Sequence, residues 1–162
     1  LHGAGGRDEL FGNNGRDRLF GDDGRDVLKG GRHGDQLHGG RDADRLDGGG
    51  GQDRLFGGLG NDRLSGGYGD DVLIGGRGDD RLHGGRGADR FVFGEKMASD
   101  VLRDFADDLD MLDLRAFGFA SRSEARSSAS NVGRDVVFDF GGDDVLTVLN
   151  ITKGELRDDI LV

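Results

Sequence analysis

The chain has 162 residues, of which 34 are glycine and none is cysteine, proline or tryptophan. Without cysteine there is no disulfide scaffold, thiol enzyme or cysteine-ligated zinc site, and no apolar run approaches the ~18 residues of a membrane-spanning helix. A formal net charge of −10 argues against nucleic acid as a partner and in favour of cations.

The composition changes along the chain. Residues 1–94 hold 29 of the glycines and residues 95–162 hold 5. Acidic and basic residues number 17 and 14 in the first part, 15 and 8 in the second. Two domains are therefore expected, 1–94 and 95–162. Leu1-His2 reads as the end of an earlier unit, so an upstream domain of the same polypeptide is expected as well.

Residues 3–92 divide into ten consecutive units of nine without an insertion. The last four are GGLGNDRLS, GGYGDDVLI, GGRGDDRLH and GGRGADRFV. Position six is aspartate in every unit: Asp8, Asp17, Asp26, Asp35, Asp44, Asp53, Asp62, Asp71, Asp80 and Asp89. Position eight is leucine nine times and then Phe91, and position one is always glycine. A fixed period of this kind marks a repeat architecture.

The units resemble G-G-x-G-x-D-x-U-x, the calcium-binding nonapeptide of RTX (repeats-in-toxin) proteins. The resemblance implies an all-β fold, a right-handed parallel β-roll with two units per coil. Unit n then stacks on unit n+2, the first six residues of each unit turn and bind Ca2+, and the last three form a short strand. With five turns on each side, up to about eight ions fit between neighbouring turns.

Elementary physics points the same way. Glycines at positions one, two and four permit positive φ and close backbone approach. In x-U-x one apolar side chain points inward and two point outward. Coils ~4.8 Å apart would stack the position-six carboxylates in a column. Two such charges ~5 Å apart repel by about 3 kcal/mol at an effective dielectric of ~20. Carboxylate and turn carbonyl oxygens together suit a hard cation, calcium above magnesium. The carbonyl ligands expected from the best-formed turns are Gly49, Gly51, Gly58, Gly60, Gly67, Gly69, Gly76 and Gly78. Those around His33 and Asp42, which replace glycine at position four, are expected to be poorer. A core one residue wide is weak support for ninety ordered residues, so metal uptake should be coupled to folding.

The outward positions separate two faces. Position nine of the even units carries Phe20, His38, Phe56, Ile74 and Val92, an apolar stripe expected to be covered. Arg45, Arg63 and Arg81 fall at position seven of odd units and would stand in a row, a surface suited to an anionic polysaccharide.

After Phe91-Val92-Phe93-Gly94 the period stops. Asp100 to Leu114 resembles the stretch that follows the repeats of serralysin-type metalloproteases, and Asp104 and Asp110 are candidates there for a further calcium ion. Ser121-Arg-Ser-Glu124 is a capping box opening a short helix near 122–129. Asp135–Phe140 and Val145–Asn150 flank Gly-Gly-Asp-Asp as a hairpin, and a second short helix is expected at Thr152–Leu156. These elements make a β-rich cap with short helices, needed to close an open coil. The ending Asp158-Asp159-Ile160-Leu161-Val162 resembles the C-terminal signal of type I secretion substrates.

No H-E-x-x-H, G-x-S-x-G or phosphate-loop motif occurs, so no active site is expected in this chain. The function expected is a non-catalytic calcium-binding module of a secreted, extracellular bacterial protein. It would fold on calcium, be exported by type I secretion machinery and serve an upstream catalytic domain. The alternatives are an alginate-like polysaccharide-binding module, or the tail of a serralysin-type protease or a lipase.

Overall fold

The computed structural model describes residues 1–106, 109–156 and 159–162. Nine six-residue strands come first: β1 (Glu9–Asn14), β2 (Arg18–Asp23), β3 (Val27–Arg32), β4 (Gln36–Arg41), β5 (Arg45–Gly50), β6 (Arg54–Leu59), β7 (Arg63–Tyr68), β8 (Val72–Arg77) and β9 (Arg81–Arg86). Each takes positions seven to nine of one unit and one to three of the next. The strands are thus twice the expected length. The ladder skips position one and resumes at two and three, as in Leu10↔Leu28 followed by Asn13↔Gly31.

Strands pair in parallel with the next but one, so two units make one coil of a parallel β-solenoid. Odd strands build one sheet and even strands the other. Position eight faces the space between them, and Leu19 through Phe91 at that position are all 2% exposed or less. Leu10 is 8% exposed, since it lies in the first coil.

β10 (Arg90–Val92) belongs to the last repeat, and the short strands β11 (Ser99–Leu102) and β12 (Met111–Asp113) carry both sheets beyond the repeats. A helix α1 (Arg122–Ser127) follows, then β13 (Ala129–Val132), β14 (Asp135–Gly141), β15 (Asp144–Val148) and β16 (Ile160–Leu161). Ser121 caps α1 by accepting the Glu124 N–H at 3.2 Å, and Glu124 Oε2 reaches back to the Ala120 N–H. The expected hairpin is β14–β15, and β13 extends it as an antiparallel strand. Thr152–Leu156 forms a turn rather than a helix; Glu155 Oε2 accepts the Thr152 N–H and Oγ1, closing the segment on itself.

The cap continues both sheets at the C-terminal side of the roll. β15 lies beside β11 and β16 beside β12, so the cap extends the roll end-on instead of folding over the apolar stripe. That stripe is shielded from within. The rings of His2, Phe20, His38 and Phe56 stack at 4.5, 4.8 and 4.5 Å, leaving Phe20 and Phe56 half-buried. Position nine of the last even coil is Asp113, whose carboxylate is held by Arg90 and Arg115 and so lies well below the usual carboxylate range. Of the terminal pentapeptide, Asp158 lies outside the described residues, and Ile160 is buried against β12.

Candidate metal-binding turns

Positions four to six of each unit connect one sheet to the other. The chain turns there because positions two and four adopt positive φ throughout. Glycine occupies most of these positions, as Gly58 at 113° and Gly60 at 134°. Where it does not, Ala4, Asn13, Asp22, His33 and Asp42 take φ between 70° and 77°. The turns at His33 and Asp42 therefore keep their shape, and Asp35 and Asp44 beyond them keep the same hydrogen bonds as the rest.

Position one is glycine for another reason, since its φ is not positive. A Cβ on Gly48 would sit 2.4 Å from Asp53 Oδ2 and 2.7 Å from the Gly66 carbonyl oxygen. The missing side chain leaves a cradle into which the carboxylate of the same unit points, beside a main-chain oxygen of the next coil.

The position-six aspartates use their two oxygens differently. Oδ1 of each carboxylate from Asp26 to Asp89 accepts the N–H of the aspartate one coil before, at 2.7–2.9 Å. Oδ2 of all ten, Asp8 to Asp89, is buried and has no hydrogen-bond partner. Eight of these side chains, Asp26 to Asp89, are 2% exposed or less. A buried carboxylate oxygen with nothing to bind is costly. Burial pushes Asp44, Asp71 and Asp80 up to about 7, and Asp53, Asp62 and Asp89 up to about 6, while the N–H donated to each pulls the other way. Neighbouring carboxylates of the column add to the rise at Asp44, Asp53, Asp71 and Asp80, and Asp110, Asp104 and Asp70 add to it at Asp89.

This donor set fits a hard cation. Among the described residues, no three acidic or histidine side chains converge, so a bound ion would draw on main-chain oxygens besides a carboxylate. Carbonyl oxygens do point along the stack at positions two and four. The Gly49 oxygen lies 2.2 Å from where a Cβ of Gly67 would be, and the Gly51 oxygen 1.8 Å from that of Gly69. The same holds for Gly58 and Gly60 against Gly76 and Gly78.

The two cap candidates differ from the column. Asp104 accepts the Gly84 and Gly85 N–H groups on its two oxygens and lies 2.8 Å from His83 Nδ1. Asp110 accepts the Asp89 N–H on Oδ1 and the Ala106 N–H on Oδ2. Each oxygen of both carboxylates thus accepts one backbone N–H. Asp100 was not singled out by the sequence, yet it is 2% exposed, accepts the Asp80 N–H at 2.9 Å and is pushed by burial up to about 8. The signal was present: Asp100-Val-Leu102 and Asp110-Met-Leu112 both repeat the D-x-U of the units.

A family model for the RTX calcium-binding nonapeptide repeat, in four copies, matches residues 2–32, 29–64 and 65–95. Among curated protein sequences none matches significantly. The crystal structure of the extracellular lipase LipA from Serratia marcescens is similar at 18% identity and a TM-score of 0.57, over 97% of this chain and 38% of the lipase. The chain thus spans well under half of that protein's length. The solution structure of the AlgE6R3 subunit of the Azotobacter vinelandii mannuronan C5-epimerase matches at 30% identity and a TM-score of 0.40, over 79% of this chain and 77% of the subunit.

Proposed function

Since the chain belongs to the RTX calcium-binding nonapeptide-repeat family, we propose that its roll is a folding device driven by calcium. Up to about eight ions would lie between consecutive turns, held by Asp8, Asp17, Asp26, Asp35, Asp44, Asp53, Asp62, Asp71, Asp80 and Asp89. Carbonyl oxygens of positions two and four complete the donor set. The observation that carries this reading is the column of ten buried Oδ2 atoms without a partner. When bound, the ions supply the positive charge that lets these carboxylates remain ionised away from water. Without them the column repels itself and the thin core is insufficient support.

In this reading the module does no chemistry of its own. Low calcium inside a bacterium leaves it unfolded and able to pass a type I exporter; high calcium outside folds it from the capped end. Export is supported by the RTX calcium-binding repeats themselves. An upstream catalytic domain would gain a folded, soluble carrier. The test is circular dichroism of the whole chain in metal-stripped buffer and then with calcium, together with a count of bound ions. A disordered spectrum that becomes β-rich as several ions bind is expected. A fully formed roll without metal would refute the reading.

A second reading rests on the odd face. Arg45, Arg63 and Arg81 are exposed direct register partners, and none of the ion pairs among the described residues involves them. With Arg103, Asp47, Ser65 and His83 they line a groove of about 510 Å3. Like charges placed side by side destabilise a sheet unless something binds them. An anionic polysaccharide is the occupant this row would suit.

A further inference from the structure

Asparagine occurs at five places in the chain, and only Asn14 is followed by glycine. Glycine has no Cβ to obstruct its main-chain nitrogen, so that nitrogen can reach the side-chain carbonyl carbon of the asparagine before it. The reaction needs both groups free. Asn14 is exposed and ends β1, the outermost strand of the nine-stranded sheet. It pairs with Arg32 on one side and has no strand on the other, so its backbone opens more readily than that of an inner strand. Among the described residues its side-chain amide has no hydrogen-bond partner. The other asparagines are held or hindered. Asn13 donates to the Phe11 carbonyl at 3.3 Å, Asn61 accepts the Asp79 N–H at 3.1 Å, and Asn131 accepts the Lys153 N–H at 2.9 Å. Asn150 precedes the buried, β-branched Ile151.

The Gly15 nitrogen is accessible as well. A Cβ built on Gly15 would meet nothing nearer than 3.9 Å. Gly6 and Gly24, at the same position of the neighbouring units, give their N–H groups to main-chain oxygens of the next coil, Asp23 and Arg41. Gly15 gives its N–H to a side chain, Nδ1 of the exposed His33, at 3.2 Å. Rotation of that ring frees the nitrogen without breaking a rung between coils.

We propose that Asn14–Gly15 is a site of spontaneous deamidation in the folded roll, with water as the co-reactant. Hydroxide from solvent takes the Gly15 amide proton, and the nitrogen attacks Cγ of Asn14. The new C–N bond closes a five-membered succinimide while the bond from Cγ to the side-chain nitrogen breaks. That nitrogen takes a proton from water and leaves as ammonia, which restores the hydroxide. Water then opens the ring at either carbonyl, leaving aspartate or isoaspartate, and nothing is oxidised or reduced. Either product sets a new carboxylate beside its register partner Arg32. Isoaspartate also adds one main-chain carbon between residues 14 and 15. The preceding rung is tight, since the Asn13 carbonyl oxygen lies 2.2 Å from where a Cβ of Gly31 would be. The added carbon loosens β1 against β3 there. The inference does not depend on the calcium reading of the roll.

The test holds the whole wild-type chain at mildly alkaline pH under conditions where circular dichroism finds it β-rich. Peptide mapping by mass spectrometry, with fragmentation that separates isoaspartate from aspartate, then reads every asparagine over time. Asn14 should convert several-fold faster than Asn13, Asn61, Asn131 and Asn150, with isoaspartate among the products. Conversion at Asn14 no faster than at those four overturns the proposal. An intact Asn14 in the folded chain, under conditions where a synthetic peptide of residues 10–19 converts, overturns it too, because the roll then holds the turn shut. Neither failure touches the metal-binding column.

Discussion

The Asp44 N–H donates to Asp62 Oδ1 at 2.8 Å, one coil further on, while Asp62 Oδ2 is buried without a partner. One oxygen of the carboxylate therefore stitches two coils together and the other is left for a cation. Substitutions separate the two tasks. Asp62→Asn keeps an acceptor and loses the charge. It should raise the calcium concentration at the midpoint of folding several-fold, read by circular dichroism, and lower the number of ions bound. Asp62→Ala also leaves the Asp44 N–H unpaired, at a further cost of about 1–3 kcal/mol. A calcium midpoint unchanged in Asp62→Asn would show that no cation uses this carboxylate.

The same column fixes the pH dependence of the metal-free roll. Six of its folded-state carboxylates, Asp44, Asp53, Asp62, Asp71, Asp80 and Asp89, lie at about 6 to 7, raised by burial from an ordinary value near 4. The fold binds these protons more tightly than the unfolded chain does. Stability is thus greatest below about pH 4 and falls as pH rises through about 6 to 7. In metal-stripped buffer, acidification from about pH 7.5 to about pH 5.5 should increase β structure in a monodisperse sample. In saturating calcium the sign reverses, because protons then compete with the ion. Circular dichroism paired with light scattering measures both arms, and parallel trends in the two would contradict the argument.

Position one offers a steric test that is independent of charge. Gly48 and Gly50 lie two residues apart in β5, yet only the first is crowded. A Cβ at 48 would meet Asp53 Oδ2 at 2.4 Å, whereas one at 50 would find its nearest neighbour at 4.0 Å. Gly48→Ala should destabilise the calcium-bound roll by about 1–3 kcal/mol, as overpacking does. Gly50→Ala should stay within about 0.5 kcal/mol of wild type. Thermal melts in calcium distinguish the two, and equal effects would mean that the cradle is not closed as described.

Much of this was legible in the sequence because one unit repeats ten times. Asp at position six and Leu at position eight marked the inward column, and the resemblance to the RTX nonapeptide implied the pairing of unit n with unit n+2. Other features could not be read from the pattern. The glycine at position one was taken for a turn residue, but its need comes from a carboxylate five residues later and from a carbonyl one coil away. Lys96 and Ala98 bear no glycine signature, so the positive φ that both adopt went unseen, and with it Asp100. Asp104 and Asp110 were marked by their acidity, but backbone N–H groups that engage both their oxygens come from distant residues such as Gly84 and Asp89. The covering of the aromatic stripe also lies outside any single unit, since His38 is shielded by Phe20 and Phe56 from neighbouring coils.

The arginine row yields the last prediction. Arg45, Arg63 and Arg81 repeat at the strand spacing of ~4.8 Å, close to the length of one sugar unit in an extended chain. A polyuronate laid along the roll would meet one guanidinium per coil, and calcium in the turns would add to the positive field. The whole chain in calcium should be retained on immobilised alginate and eluted by salt. Replacing all three arginines with glutamine should abolish retention without changing the calcium midpoint of folding, because none of them touches a position-six carboxylate by any hydrogen bond described above. Replacing Arg7, Arg16 and Arg25, which stand at turn position five, controls for net charge alone. Equal loss from that set would reduce the effect to bulk electrostatics, and retention by the variant lacking Arg45, Arg63 and Arg81 would remove the polysaccharide reading.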